Sequence, residues 1–246
     1  MSFDAALAAI DGVEGWLSDD QVRRLWEAGR RVQPPGRIVE IGSFRGRSTI
    51  VLRLAAPAGV EVVAVDPHGG GDRGPQEITP DAVRGDEDNR IFNANLERAG
   101  VSGQVRHLRD MSHDALGAVE PPFDVLYVDG AHRYGLARAD IEQWGERVRP
   151  GGTLLVHDSY NAVGVMLAQL RLLFASGRWR YVGRSRSLAE YRREDLSAGA
   201  RARNFVQQLR GLPWFARNSA IKVAMLARMR SLAHRLGLPD GDDWPY

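Results

Sequence analysis

Two short motifs hold the residues best able to do chemistry: DGAHRY at Asp129 to Tyr134 and HDSY at His157 to Tyr160. Each follows an apolar run, FDVLYV and TLLV, that reads as a buried strand. Asp129, His157 and Asp158 therefore fall at strand ends, where their side chains can converge on one point. Two carboxylates and an imidazole, with water filling the remaining positions, suit an octahedral divalent cation such as Mg²⁺ or Mn²⁺. His132, three residues past Asp129, would stand over the same point at the start of a helix. An imidazole titrates near neutral pH, which makes His132 the natural general base for a hydroxyl held there.

The residues that would bring a second reactant to this point lie earlier, in VEIGSFRGRST from Val39 to Thr49. The stretch reads as a buried strand ending in an acid, a tight glycine turn and the first turn of a helix. Its glycines, Gly42 and Gly46, are spaced GxxxG, and Phe44 occupies the place of the middle glycine that lets a backbone approach a pyrophosphate. Glu40 would repel phosphate and pair with an ammonium group. A ligand with an amino group and no phosphate follows, and S-adenosylmethionine fits. Gly42, Ser43, Gly46 and Ser48 of the turn, with Asp129 alongside, are its candidate contacts. The next strand, in VEVVAVDPHGGG, ends at Asp66, placed as a ribose-binding carboxylate should be. An acceptor hydroxyl beside the sulfonium would lose its proton to His132 and attack the methyl in line.

The elements that must position these groups alternate regularly. Two helices are expected over residues 3 to 33, the second capped by Ser18 and stopped by Pro34, Pro35 and Gly36. Strands are expected at Arg37 to Ile41, before Asp66, at Gln104 to Leu108, before Asp129, and at Thr153 to Asp158. Helices separate them, at Arg47 to Ala56, Glu87 to Ala99 and Tyr134 to Val148, with a short one from Ser112. Strand and helix repeated five times predict an α/β, Rossmann-like, mostly parallel sheet with helices on both faces and ligands at the carboxyl ends of its strands. Glu40, Asp66, Asp110, Asp129 and Asp158 would then line one edge. Pro67 to Asp86 lacks periodicity and is expected as a lid over the pocket. After a helix from Asn161 to Phe174, WRYVG and SLAEYR read as a terminal pair of strands.

The division expected is N-terminal helices over 1–35, a cofactor-binding domain over 36–193 and a helical extension over 194–246. With 246 residues, one large core is available, and the absence of cysteine excludes thiolate and disulfide chemistry. No leader or membrane span is read, so a cytoplasmic protein is expected. The charge is uneven: from Arg171 onward there are 15 basic and 6 acidic residues, and Lys222 is the sole lysine of the chain. A last helix from Trp214 to Leu236 carries an apolar stripe of Ile221, Met225, Met229, Leu232 and Leu236, edged by Arg217, Arg228 and Arg235. That stripe suits docking on the body or on a second copy in a homodimer, or peripheral contact with the inner membrane face.

Together, VEIGSFRGRST, VVAVDPHGG, DGAH and RPGGTLLVHDSY resemble the class I S-adenosylmethionine-dependent methyltransferases. Among these they are most similar to the metal-dependent sugar O-methyltransferases of the macrocin, mycinamicin and methylmannose polysaccharide type. The resemblance spans roughly Gly36 to Arg193. It implies a seven-stranded sheet with one antiparallel strand, the methionine part on Glu40, Gly42 and Ser43, the ribose on Asp66 and the adenine on Asp110 and Met111. It further implies a cation on Asp129 and Asp158, with His157 standing where the family has a second adjacent acid, and His132 as base. The acceptor would be a hydroxyl of a sugar or glycan. A catechol-like or other small hydroxylated acceptor is the neighbouring reading, and an inactive scaffold at a membrane surface is a reading of another class. An acidic pocket edge and the lack of a recognition module speak against a nucleic-acid substrate.

Overall fold

The computed structural model describes residues 1–71 and 79–238. Its elements run α1 (Phe3–Ala9), α2 (Asp19–Arg30), β1 (Arg37–Ile41), α3 (Arg47–Ala55), β2 (Glu61–Val65), α4 (Ala82–Arg98), β3 (Arg106–Leu108), α5 (Ser112–Ala115) and β4 (Phe123–Val128). They continue with α6 (Tyr134–Ala139), β5 (Val148–Val156), α7 (Val163–Gln169), β6 (Trp179–Ser185), β7 (Leu188–Arg193), α8 (Ala198–Leu209), α9 (Leu212–Leu226) and α10 (Arg230–Arg235). The sheet has seven strands in the order β3-β2-β1-β4-β5-β7-β6. β1 to β5 are parallel neighbours, and β7 runs antiparallel between β5 and β6. This is the Rossmann-like, mostly parallel sheet expected.

Strand alternation divides the core into two layers. Ile38, Val62 and Ala64 face α1 to α4, whereas Val39, Ile41, Val63 and Val65 face the side carrying α6 and α7. Glu40 thus points to the same side as Ile38, toward α3. The second helix starts as its sequence requires: Gln21 Oε1 accepts the backbone N–H of Ser18 at 2.9 Å, and Asp19 and Asp20 occupy the first turn.

Three expectations need correction. Helix α4 begins at Ala82, not near Glu87, because Asp81 caps it by accepting the Arg84 N–H at 3.1 Å. The start of the expected lid packs against this helix: a Cβ on Gly85 would lie 1.9 Å from the His68 carbonyl oxygen. The centre of that stretch, residues 72–78, lies outside the described residues. Second, the run from Tyr134 is not α-helical to Val148. After Ala139 it widens into a π turn over Asp140–Trp144, and β5 already begins at Val148, ending before His157 and Asp158.

Third, the last helix is two. Arg228 adopts φ 60°, and the Met229 N–H returns to the Ala224 carbonyl at 2.8 Å, closing α9. Arg217 donates to the carbonyls of Leu236 and Gly237 at 2.7 and 2.8 Å, folding α10 back onto α9. Ile221, Ala224 and Ala233 are buried between them, whereas Met229 and Leu232 are exposed. The apolar stripe is therefore broken. The extension docks on the body: Trp214 and Phe215 pack with Tyr160, Met166 and Phe174, and Lys222 Nζ donates to the Asn161 carbonyl at 2.8 Å. Among the described residues no helix is long and apolar enough to cross a membrane.

Candidate active site

A cavity of about 300 Å³ opens at the carboxyl ends of β1, β2 and β4, the size of a small-molecule site. Its floor is the turn after β1. A Cβ on Gly42 would lie 2.2 Å from the Asp129 carbonyl oxygen, so only glycine lets the β1 turn pass this close to the end of β4. Phe44 has φ 46°, the left-handed conformation that glycine adopts freely, and its ring stacks on Trp16 at 5.0 Å. The turn therefore keeps its shape without the glycine missing from that position.

Asp66 holds the turn in place. Its Oδ2 accepts the N–H groups of Ser43 and Phe44, both at 2.8 Å, and its Oδ1 accepts the His68 N–H at 2.7 Å. Ser43, Ser48, Asp66 and Met111 line the cavity as expected residues, together with Gly42 and Asp129. Glu40, Gly46 and Asp110 do not. Glu40 is fully buried beneath the turn, where the hydroxyls of Ser48 and Thr49 donate to its two oxygens, and burial pushes its pKa up to about 8. Gly46 caps α3 at φ 88° and packs against Phe92. Asp110 is exposed on the loop before α5.

At the other end of the cavity the two motifs converge. The donor atoms of Asp129, His132 and Asp158 lie within 4.8 Å of one another. His132 Nε2 is 2.6 Å from Asp158 Oδ2, and Asn161 Nδ2 donates to Asp158 Oδ1 at 2.9 Å. The Tyr127 hydroxyl donates to Asp129 Oδ2 at 2.6 Å. Asp158 itself has φ 53°, a strained conformation of the kind that gathers at functional turns. His157, expected as the third cation ligand, is not one of the trio. It is buried beneath, its Nδ1 3.1 Å from Asp129 and 3.5 Å from Asp158, with Nε2 facing the Gln21 amide of α2 at 3.5 Å. Its N–H still bonds the Val128 carbonyl at 2.9 Å, so it continues the alternation of β5 and its ring points to the same side as Leu155, toward α2.

Burial opposes charge on both histidines, but the neighbouring carboxylates outweigh it. Asp158, by hydrogen bond and charge, raises the pKa of His132, and Asp129 and Asp158 raise that of His157 well above the ordinary value. Burial likewise opposes charge on Asp158, yet His157 and His132 hold its carboxyl well below the usual carboxylate range.

Several lining residues were not anticipated. Glu14, Trp16 and Leu17, from the loop between α1 and α2, form one wall, so the N-terminal segment belongs to the site. Asp140, at the start of the π turn, forms part of another. Below Asp66, His68 and His107 meet edge to face at 5.1 Å, each with a buried Nε2 that has no hydrogen-bond partner among the described residues. Burial pushes the His107 pKa down to about 4, with the charge of His68 adding to the effect. The unfolded chain therefore takes up this proton more readily than the folded one between pH 6.5 and about 4. Stability from a neutral His107 is present above 6.5 and lost as pH falls through this window. In urea denaturation, His107→Phe gains on wild type progressively as pH drops from 6.5 toward 4; a pH-independent difference would contradict this.

Residues 39–159 match a family model described as "Methyltransferase domain". Over this stretch, just under half of its length, the chain is similar to methyltransferase domains. An uncharacterized protein of Sinorhizobium fredii, y4gI, is 32% identical over 130 residues, 51% of this chain and 13% of that protein. The chain thus spans a small part of that relative's length. Among solved structures, cofactor-bound Rv0187 from MTB aligns with a TM-score of 0.57 and 22% identity, over 78% of this chain and 89% of that one. The O-methyltransferase from Bacillus cereus in complex with SAH aligns with a TM-score of 0.54 and 20% identity, over 78% and 90%. At such identities the likeness is one of fold.

Proposed function

We propose that this protein transfers the methyl group of S-adenosylmethionine to a hydroxyl oxygen of a sugar or glycan, with His132 as general base. The observation that carries the reading is the His132–Asp158 pair, 2.6 Å apart, on the cavity whose opposite end is the Asp66-held glycine turn. The O-methyltransferase from Bacillus cereus, solved with SAH, has the same fold and supports both the cofactor and the oxygen acceptor.

The methionine part would lie on the turn at Gly42 and Ser43 and the ribose beside Asp66. His132 Nε2 is committed to Asp158, so Nδ1 is the atom left to take the acceptor's proton. The acceptor oxygen bonds to the methyl carbon as the carbon–sulfur bond breaks, leaving S-adenosylhomocysteine. Charge on the sulfonium disappears in this step, so positioning and exclusion of water contribute more than added nucleophilicity.

The donor set also fits a divalent cation, with Asp129 and Asp158 as its oxygen ligands. When bound, such an ion supplies Lewis acidity that lowers the pKa of the acceptor hydroxyl. We assign the cation to the two carboxylates and leave His132 as base, since a histidine ligating through its lone pair cannot also accept the proton. The sugar acceptor rests on the resemblance of VEIGSFRGRST, DGAH and RPGGTLLVHDSY to the sugar O-methyltransferases.

The pH dependence tests the base. A His132 pKa raised by Asp158 places the acid limb of kcat/KM above the 6.5 of an ordinary histidine, with activity lost as pH falls through it. Asp158→Asn removes the main raising influence and shifts that limb to lower pH. A limb unmoved by the substitution would assign the proton to another group.

A further inference from the structure

With the methionine part on the glycine turn and the ribose at Asp66, the remaining wall of the cavity must meet the cofactor's base. Two segments build it: Met111 and Ser112 after β3, and Gly130, Leu136 and Asp140 after β4. Met111 and Leu136 offer apolar faces to a planar ring. Asp140 is the acid on this wall, and only 5% of it is exposed.

The carboxyl of Asp140 is half satisfied. Its Oδ1 accepts from the Ser112 hydroxyl at 2.5 Å. Its Oδ2 has no hydrogen bond among the described residues. Oδ2 lies beside Gly130, where an added Cβ would come within 3.3 Å of it, so the absence of a side chain there leaves its surroundings clear. The residue is largely buried, yet this oxygen is left to the cavity without a protein donor, which suits it to accept a hydrogen bond from a ligand. Asp140 is also the first residue of the π turn, a local widening that interrupts the regular helical placement of side chains and is frequent at functional sites. Burial raises the Asp140 pKa against the lowering effect of Ser112.

We propose that Asp140 reads the base of the cofactor, its free oxygen accepting a hydrogen bond from the exocyclic amino group of adenine in a slot walled by Met111 and Leu136. The inference rests on the reading of the cavity as the S-adenosylmethionine site. It makes the site selective at position 6 of the purine. An amino group donates to the carboxylate; the carbonyl of hypoxanthine presents lone pairs to it and is rejected. The exposed Asp110, expected from the resemblance to serve the adenine, is replaced in this role by an acid 30 positions later in the chain.

The test uses the full-length protein and two product analogues, S-adenosylhomocysteine and S-inosylhomocysteine, which differ only at that position and the adjoining ring nitrogen. Isothermal titration of the wild type should show the adenosyl compound binding roughly 10- to 100-fold more tightly, the worth of one hydrogen bond to a charged group. Asp140→Asn, whose amide can donate to a carbonyl, should bring the ratio close to one or reverse it. Ser112→Ala, which touches only Oδ1, should keep the preference for adenine. Equal affinity of the wild type for both compounds overturns the proposal without any variant. So does an Asp140→Asn protein that retains the wild-type ratio, which would leave Asp140 a structural partner of Ser112. Failure of the wild type to bind either compound overturns the cofactor reading itself, and is told apart by the missing heat in both titrations.

Discussion

Replacing His132 by alanine lowers methyl transfer by roughly two to four orders of magnitude while leaving the affinity for S-adenosylhomocysteine within about threefold of wild type. The split follows from where His132 stands. It lies at the end of the cavity formed by Asp129 and Asp158, away from the Ser43 and Phe44 amides that Asp66 organises. On the proposed mechanism its removal deletes the base and leaves the cofactor floor untouched. Single-turnover transfer and product titration on the same protein check both halves. Equal loss of binding and transfer would show that His132 supports the cofactor and would remove it as base.

Asp66→Ala does the reverse. Three backbone N–H groups, from Ser43, Phe44 and His68, lose their acceptor at once. Hydrogen bonds to a charged acceptor contribute about 1.5–3 kcal/mol each, and two of these three fix the backbone leading into the left-handed Phe44. The turn at Gly42 to Gly46 should relax, and the carboxylate beside the ribose disappears with it. S-adenosylhomocysteine affinity is expected to fall by at least about 100-fold, and thermal stability should fall as well. Asp66→Asn, which keeps an acceptor oxygen, should recover part of the stability. Unchanged product affinity in Asp66→Ala would mean that the ligand does not sit on this turn.

The central part of the fold was legible because its signals are local. VEIGSFRGRST states a strand, a turn and a helix start within eleven residues, and the structure places β1 and α3 where those signals fall. The terminal strand pair and the alternation that builds the parallel sheet were legible for the same reason. What was not legible depends on contacts distant in sequence or on departures from ideal geometry. Glu40 stands at a strand end and looks available to a ligand, but the alternation of β1 turns it toward the hydroxyls of Ser48 and Thr49. His157 and Asp158 are adjacent in sequence and both were expected to hold one cation, yet only Asp158 pairs with His132, because the chain turns at Asp158 through a left-handed conformation.

Other losses have equally specific causes. The π turn at Asp140 has no marker in a run that reads as continuous helix, so the acid it brings to the cavity wall was invisible. The loop of Glu14 to Leu17 lies between two helices that gave no sign of touching the site, and its position is set by the packing of α1 and α2 on α3. The apolar stripe of the last helix had the correct period. A cap at Arg228, without glycine or proline, broke it all the same.

Transfer of labelled methyl from S-adenosylmethionine by the purified protein into sugar and glycan fractions, with Mg²⁺ and with EDTA in parallel and His132→Ala beside wild type, decides between these readings. Wild type with Mg²⁺ should form an alkali-stable methyl ether in a carbohydrate fraction, diminished by EDTA and absent with His132→Ala. Label that survives EDTA would keep the methyltransferase and take the cation from Asp129 and Asp158. Label in a non-carbohydrate hydroxyl compound would correct the acceptor. Transfer by His132→Ala at the wild-type rate would contradict the mechanism.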